Sequence, residues 1–178
     1  MNIALYCSAC DDLPAAINDL AHRLGQWIGA HGHTLVYGGV KAGLMHIAAQ
    51  ATRDAGGTVY GVVPQRFAHR ADPLCHHTEL TTDLAERKAR MIALADAFVV
   101  LPGGIGTLDE WISTTSQLSV MGEQKPIVVV DPKGIFTHTV SQLRAIAESI
   151  VGTGRNIIIP RYVTNADEMI SQLHTLNK

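Results

Sequence analysis

Ala97-Phe-Val-Val-Leu-Pro-Gly-Gly-Ile-Gly-Thr-Leu-Asp-Glu110 is the stretch from which the rest of the chain can be read. Its apolar, partly β-branched start, Ala97–Leu101, has the composition of a strand buried on both faces. Pro102 stops it, and three glycines follow within four residues, Gly103, Gly104 and Gly106, with Ile105 between the last two. Glycine lets backbone N–H groups approach an anion with no Cβ in the way. Thr107 adds a hydroxyl, and a helix predicted over Leu108–Met121 follows at once. The first turn of a helix carries unpaired N–H groups and a partial positive charge. Strand, glycine turn and helix together make an anion site. The plainer alternative is a tight turn in which Thr107 only caps the helix. Asp109 and Glu110 weigh against it, because two carboxylates beside an anion need a reason. Sugar hydroxyls or a developing cation would supply one.

Outward from this segment, short apolar runs alternate with helical patterns. Strands are predicted near Asn2–Tyr6, Thr34–Tyr37, Thr58–Val63, Ala97–Leu101, Pro126–Val130 and Ile157–Pro160. Helices are predicted near Pro14–Ala30, Gly43–Ala55, Asp83–Ala95, Leu108–Met121, Phe136–Val151 and Asp167–Leu176. In the first helix Ile17, Leu20, Ala21, Leu24, Trp27 and Ile28 recur at helical spacing and form one apolar stripe. Repeated strand–helix alternation predicts an α/β fold, a Rossmann-like doubly wound parallel sheet with helices on both faces. At 178 residues the chain suits one domain, 1–178, with no linker or internal repeat. Pro64–His77 reads as a long irregular loop, a kind that is often functional.

Ligands of such sheets sit at the carboxyl ends of the strands, so the strand-to-helix turns carry the chemistry. Two familiar loops are excluded at Pro102–Glu110. It lacks the Gly-Lys-Ser/Thr ending of a Walker loop and the third glycine of the dinucleotide fingerprint. Tyr37-Gly-Gly-Val-Lys-Ala-Gly-Leu-Met45 repeats the glycine-rich arrangement, with Gly39 as a candidate contact; close helix–strand packing is the equal alternative. Ser8, after the first strand, can add a hydroxyl to the same crevice. Glu86-Arg-Lys-Ala-Arg-Met91 places Arg87 and Lys88 at the start of a helix, either as a solvated face or with Arg87 directed into the crevice.

A formal charge of −2, from 14 basic and 16 acidic residues, lacks the basic excess expected of a nucleic-acid binder. One small anion needs only a local positive field. Cys7, Cys10 and Cys75 are odd in number and read as reduced thiols. Cys7 and Cys10 have a C-x-x-C spacing, but no second pair completes a zinc site, and no metal or cofactor is expected. No run reaches the ~18 apolar residues of a membrane span, and no signal-peptide pattern opens the chain, so a cytoplasmic protein is expected.

With Gly38–Met45, Glu86–Met91 and Pro102–Glu110 in view, the chain resembles the LONELY GUY (LOG) family, whose members are often mislabelled lysine decarboxylases. The resemblance runs from the first strand to about Pro132 and continues toward the end. It rests on Pro-Gly-Gly-x-Gly-Thr-x-x-Glu and an upstream Glu-Arg-Lys-x-x-Met. It implies a phosphoribohydrolase that cleaves the N-glycosidic bond of a nucleoside 5′-monophosphate, such as AMP or an N6-prenylated cytokinin form. It also implies Arg87 and Glu110 as catalytic residues, and Gly103, Gly104, Gly106 and Thr107 as phosphate holders. Lys88 matches the lysine after the arginine, and Ile105 and Asp109 fall inside the binding motif. A homodimer is implied, with Trp111, Ile112, Leu118, Val120 and Met121 available for the contact or for the core. The chain departs from the family pattern at Ala85, Ser8-Ala-Cys10, Asp109, Trp111, Thr114, Thr115 and Ser116, departures that bear on the base rather than on the reaction. A non-catalytic carrier of a nucleotide-bearing cofactor such as molybdenum cofactor is the alternative on the same fold. A DNA-processing module is disfavoured by the net charge.

Overall fold

The computed structural model describes residues 1–149 and 157–177. Its elements run β1 (Asn2–Tyr6), α1 (Ala15–Ala30), β2 (Thr34–Tyr37), α2 (Gly43–Asp54), β3 (Thr58–Pro64), β4 (His77–Thr81) and α3 (Leu84–Leu94). They continue with β5 (Ala97–Val100), α4 (Ile105–Met121), β6 (Ile127–Val130), α5 (Thr137–Ser149), β7 (Arg161–Val163) and α6 (Ala166–His174). The seven strands form one sheet in the order β4-β3-β2-β1-β5-β6-β7, and every pairing is parallel.

Successive side chains of a strand point to opposite faces, and here both faces are buried. Ile3 and Leu5 of β1 pack with α1, α2 and α6, through residues such as Leu24, Leu44 and Met169. Ala4 and Tyr6 pack on the other side with α3, α4 and α5, through Met91, Trp111 and Val140. This explains why the central strands read as continuous apolar runs rather than as alternating ones. The chain travels outward from β1 to β4, and α3 then returns it to β5 on the far side of β1. Strand order therefore reverses between β1 and β5, which opens a crevice at their carboxyl ends.

Three boundaries differ from expectation. Pro64–His77, a loop by its sequence, holds a 3-10 turn at Gln65–Arg70 and leads into β4, a strand that the apolar pattern does not reveal. His77-Thr-Glu-Leu-Thr81 is an edge strand with mostly exposed side chains, so it shows no apolar run. Ile157–Pro160 belongs to no strand; the strand follows at Arg161–Val163, where Val163 turns into the core. The third concerns α4, which starts at Ile105 rather than Leu108, so Gly106 and Thr107 belong to its first turn and Gly104 is its cap. Positions 150–151 of the predicted fifth helix lie outside the described residues.

Candidate active site

The crevice at the strand-order reversal is a cleft of about 400 Å³. Leu5, Cys7 and Ser8, at the end of β1 and just beyond it, supply one side; Gly38 and Met45 supply a second. Gly104, Ile105, Gly106 and Thr107 form a third, and Arg87 of α3 and Glu110 of α4 complete the lining.

Local sequence sets both helices. Asp83 caps α3 by accepting from the Glu86 amide at 2.8 Å, while the Glu86 carboxylate accepts from the Thr82 amide at 2.6 Å. Glu86 thus fixes where α3 begins, and Arg87 follows in the first turn. A cation there opposes the helix dipole. The opposition is offset by two ion pairs from α3 to α4, Arg87–Glu110 and Lys88–Asp109.

Those pairs separate two neighbouring carboxylates. Lys88 Nζ lies 2.8 and 2.9 Å from the Asp109 oxygens and 3.1 Å from Ser113 Oγ. Donation from Lys88 holds the Asp109 carboxyl below its usual range, and 57% of its side chain is exposed. Glu110 turns inward, with 12% of its side chain exposed. Burial pushes its carboxyl up to about 7, against the pull of Arg87. Arg87 Nε is buried and has no hydrogen-bond partner among the described residues. Burial and the Glu110 charge push the Cys7 thiol well above its ordinary value.

The amino end of α4 faces this cleft, and no side chain caps it. Thr107 and Gly106 lie three and four residues before Glu110, so helical spacing puts them on the same side as the carboxylate. Among the residues singled out in the sequence, Ser8, Arg87, Gly104, Ile105, Gly106, Thr107 and Glu110 line the cleft. Lys88 and Asp109 do not; they brace α3 against α4. Gly103 lines a neighbouring cavity of about 220 Å³ with Leu13, Pro14 and Ile135.

Gly39 is also outside the cleft lining. It has φ +66°, and a methyl group on it would overlap Val63 and stand 2.9 Å from Gly61 Cα. Close packing, the alternative weighed for that turn, is what its geometry provides. Cys7, Ala9, Gly38 and Met45, which fall in the strand-to-helix stretches that the sequence marks but are not named there as contacts, also line the cleft, as does Leu5 inside β1. For Cys7, Ala9 and Gly38 a position just beyond a strand's carboxyl end was the available signal.

The cysteines are free, with Cys7 buried and Cys10 exposed. Among the described residues no cluster of His, Cys, Asp or Glu could hold a metal ion, and no helix is long and apolar enough to cross a membrane.

The fold is shared with proteins of low sequence identity. The molybdenum cofactor binding protein of Rippkaea orientalis matches with a TM-score of 0.79 at 18% identity, covering 99% of this chain and 97% of that one. DNA processing protein A of Streptococcus pneumoniae matches at 0.60 and 13% identity, covering 96% and 61%. Sequence likeness points elsewhere. The family model described as "Possible lysine decarboxylase" matches residues 45–173. The cytokinin riboside 5′-monophosphate phosphoribohydrolase of Mycobacterium tuberculosis is 38% identical over 154 residues, 85% of this chain and 80% of that protein. The enzyme of that name, LOG, from Oryza sativa subsp. japonica is 33% identical over 162 residues, 88% and 66% of the two chains. By the extent of the family match and by these identities, the chain belongs to the LONELY GUY (LOG) family.

Proposed function

We propose that the chain hydrolyses the N-glycosidic bond of a nucleoside 5′-monophosphate, giving free base and ribose 5-phosphate. The observation that carries this reading is the Arg87–Glu110 pair set in one cleft with the uncapped amino end of α4. In this reading the amides of Ile105, Gly106 and Thr107 hold the phosphate, aided by the helix dipole. The phosphate then fixes the sugar, and the anomeric carbon comes to Glu110.

As the C–N bond breaks, the electron pair leaves with the base and positive charge develops at the anomeric carbon. A buried carboxylate stabilises that charge and aligns a water, whose oxygen bonds to the carbon. The water's proton passes to the Glu110 carboxylate and is returned, directly or through solvent, to the departing base, which restores the ionised carboxylate. Arg87, with an unpartnered Nε and an ion pair to Glu110, orients the carboxylate and offsets negative charge on the base. The relatives' names point to a cytokinin riboside 5′-monophosphate as the substrate, and so to a cytokinin as the base. Decarboxylation of lysine would need a lysine to hold pyridoxal phosphate, and among the described residues none lines the cleft.

Chromatography of nucleoside monophosphates beside the matching nucleosides tests the reaction. Free base is expected from AMP or its N6-substituted forms, and far less from the nucleosides. Equal cleavage of both would remove phosphate anchoring. A carrier that binds its nucleotide and releases nothing is the other outcome, and the buried Glu110 carboxylate held by Arg87 in the cleft speaks against it.

We also propose a homodimer in a reducing, cytoplasmic setting. Trp111 and Leu118 of α4 are buried in the core, whereas Val120 is 85% and Met121 60% exposed. Ile112, Val120 and Met121 border an apolar groove of about 590 Å³ with Leu143, Ile146 and Ile157. Sedimentation at micromolar concentration should give twice the chain mass of 19.1 kDa, and a monomer would end the idea.

A further inference from the structure

Glu110 is held at two points. Its carboxylate meets Arg87, while its main chain is tied to the centre of the sheet by a less obvious route. Thr114, one turn further along α4, donates its hydroxyl proton to the Glu110 carbonyl at 2.8 Å. A threonine hydroxyl has one proton to give, so toward Tyr6, whose phenolic oxygen is 2.8 Å away, Thr114 Oγ1 can only accept. Tyr6 is therefore the donor. Both side chains are buried, Thr114 at 0% and Tyr6 at 1% exposure.

Tyr6 closes β1, the strand beside the strand-order reversal, and its ring stacks on Phe98 of β5 at 5.9 Å. The anchor thus lies in the two central strands. A residue needed only to fill this layer would serve as well without a hydroxyl, and a buried phenol needs a partner to offset its lost hydration. The Tyr6 hydroxyl is also close enough to feel the charges of Glu110 and Arg87, and burial is the largest influence raising its pKa. Threonine back-bonding to the carbonyl four residues earlier tends to bend a helix. Here Tyr6 holds the back-bonded Thr114 hydroxyl in place, one turn beyond the residue that faces the cleft.

We propose that Tyr6 and Thr114 act as a positioning brace, which locks the first turns of α4 against β1 and holds Glu110 at its buried station. The brace rests on the reading of Glu110 as the group that acts on the substrate. Neither residue touches the substrate in this account, and each works through Glu110. Misplacement of a reacting group by about 1 Å can cost up to ~10²-fold in rate, so even a partial release of the brace should be measurable.

Four variants test it: Tyr6→Phe, Thr114→Val, their double, and Thr114→Ser. In Tyr6→Phe and Thr114→Val, kcat for AMP should fall roughly tenfold, with KM within about twofold of the parent. The double variant should be no worse than either single one, because both remove the same link. Thr114→Ser keeps the hydroxyl and should keep the rate. A second readout needs no catalysis: the titration of the Glu110 side chain, followed by carbon NMR on glutamate-labelled protein. It is expected near 7 in the parent and in Thr114→Ser, and lower, toward the ordinary value of 4.5, when the brace is cut and the carboxylate relaxes into water. An unmoved Glu110 titration in Tyr6→Phe overturns the brace whatever the rate does, and a fall in thermal stability alone would mark the pair as a core hydrogen bond. If the parent releases no base, the functional reading fails, and the titration series still decides the brace.

Discussion

Two glycine-rich turns of nearly the same composition, Gly38–Gly43 after β2 and Pro102–Gly106 after β5, lead from a strand into a helix and have opposite fates. At the first, the Gly43 amide donates to the Asp11 carboxylate at 2.7 Å, and the Leu44 amide to the Ser8 carbonyl at 3.1 Å. Gly39 is wedged against β3, and its carbonyl accepts from the Asp72 amide at 2.8 Å. The amino end of α2 is thereby closed by the protein's own acceptors. At the second, Gly104 caps α4 with no side chain to help it, and Gly104 and Gly106 have open space where a Cβ would be. A run of glycines thus does not of itself make an anion site. What decides is whether the fold supplies the acceptor or leaves that place to a ligand.

The largest effect is expected at the open turn. Glu110→Gln should lower turnover by at least ~10²-fold, the scale of an electrostatic catalytic group. Undiminished hydrolysis would sink the role given to the carboxylate. Its pH dependence follows from burial. If the ionised form acts, kcat/KM should drop as pH falls through about 7 rather than through the ordinary 4.5. Stability has the opposite sign. Between those two values the folded carboxyl holds a proton that the unfolded one has lost, so stability declines as pH rises through this window, on the order of 3 kcal/mol at most. Thermal melts of Glu110→Gln across the same pH range should lack that decline.

The closed turn should answer in stability instead. Gly39→Ala forces a side chain into a left-handed conformation, at about 1–2 kcal/mol. It also overfills a packed contact, at about 1–3 kcal/mol. A melting temperature lower by roughly 10 °C is expected, with KM for the nucleotide little changed in the protein that remains folded. A large rise in KM without loss of stability would show that this turn does meet the ligand.

The contrast between the turns was only partly legible before the structure. Asn2–Tyr6 and Thr34–Tyr37 were readable because strands buried on both faces must be apolar throughout. β4 was not, because its pairing with β3 from Tyr60↔His77 to Pro64↔Thr81 is carried by backbone bonds, and its side chains are mostly in water. Arg87 and Glu110 stand 23 positions apart, and only the family motifs joined them. The closing of the α2 turn depends on Asp11, 32 positions from Gly43, and the Tyr6–Thr114 contact spans 108. No local rule of spacing reports such pairs. Local chemistry marked which turns were permissive, while long-range contacts chose between them.

The smallest effect in stability gives the sharpest comparison. Gly106 lies within the first turn of α4 at a helical position, and no neighbouring atom stands within 4 Å of where its Cβ would be. Gly106→Ala therefore meets no clash within the protein, and alanine's better helix propensity is worth up to about 1 kcal/mol in its favour. The protein should melt at the same temperature or slightly higher, the reverse of Gly39→Ala. The new methyl would occupy space beside the amides assigned to the phosphate. Loss of one charge-assisted hydrogen bond there should raise KM roughly tenfold or more, with kcat less affected. A Gly106→Ala protein that melts normally and binds nucleotide as tightly as the parent would mean that the open end of α4 is not where the phosphate rests.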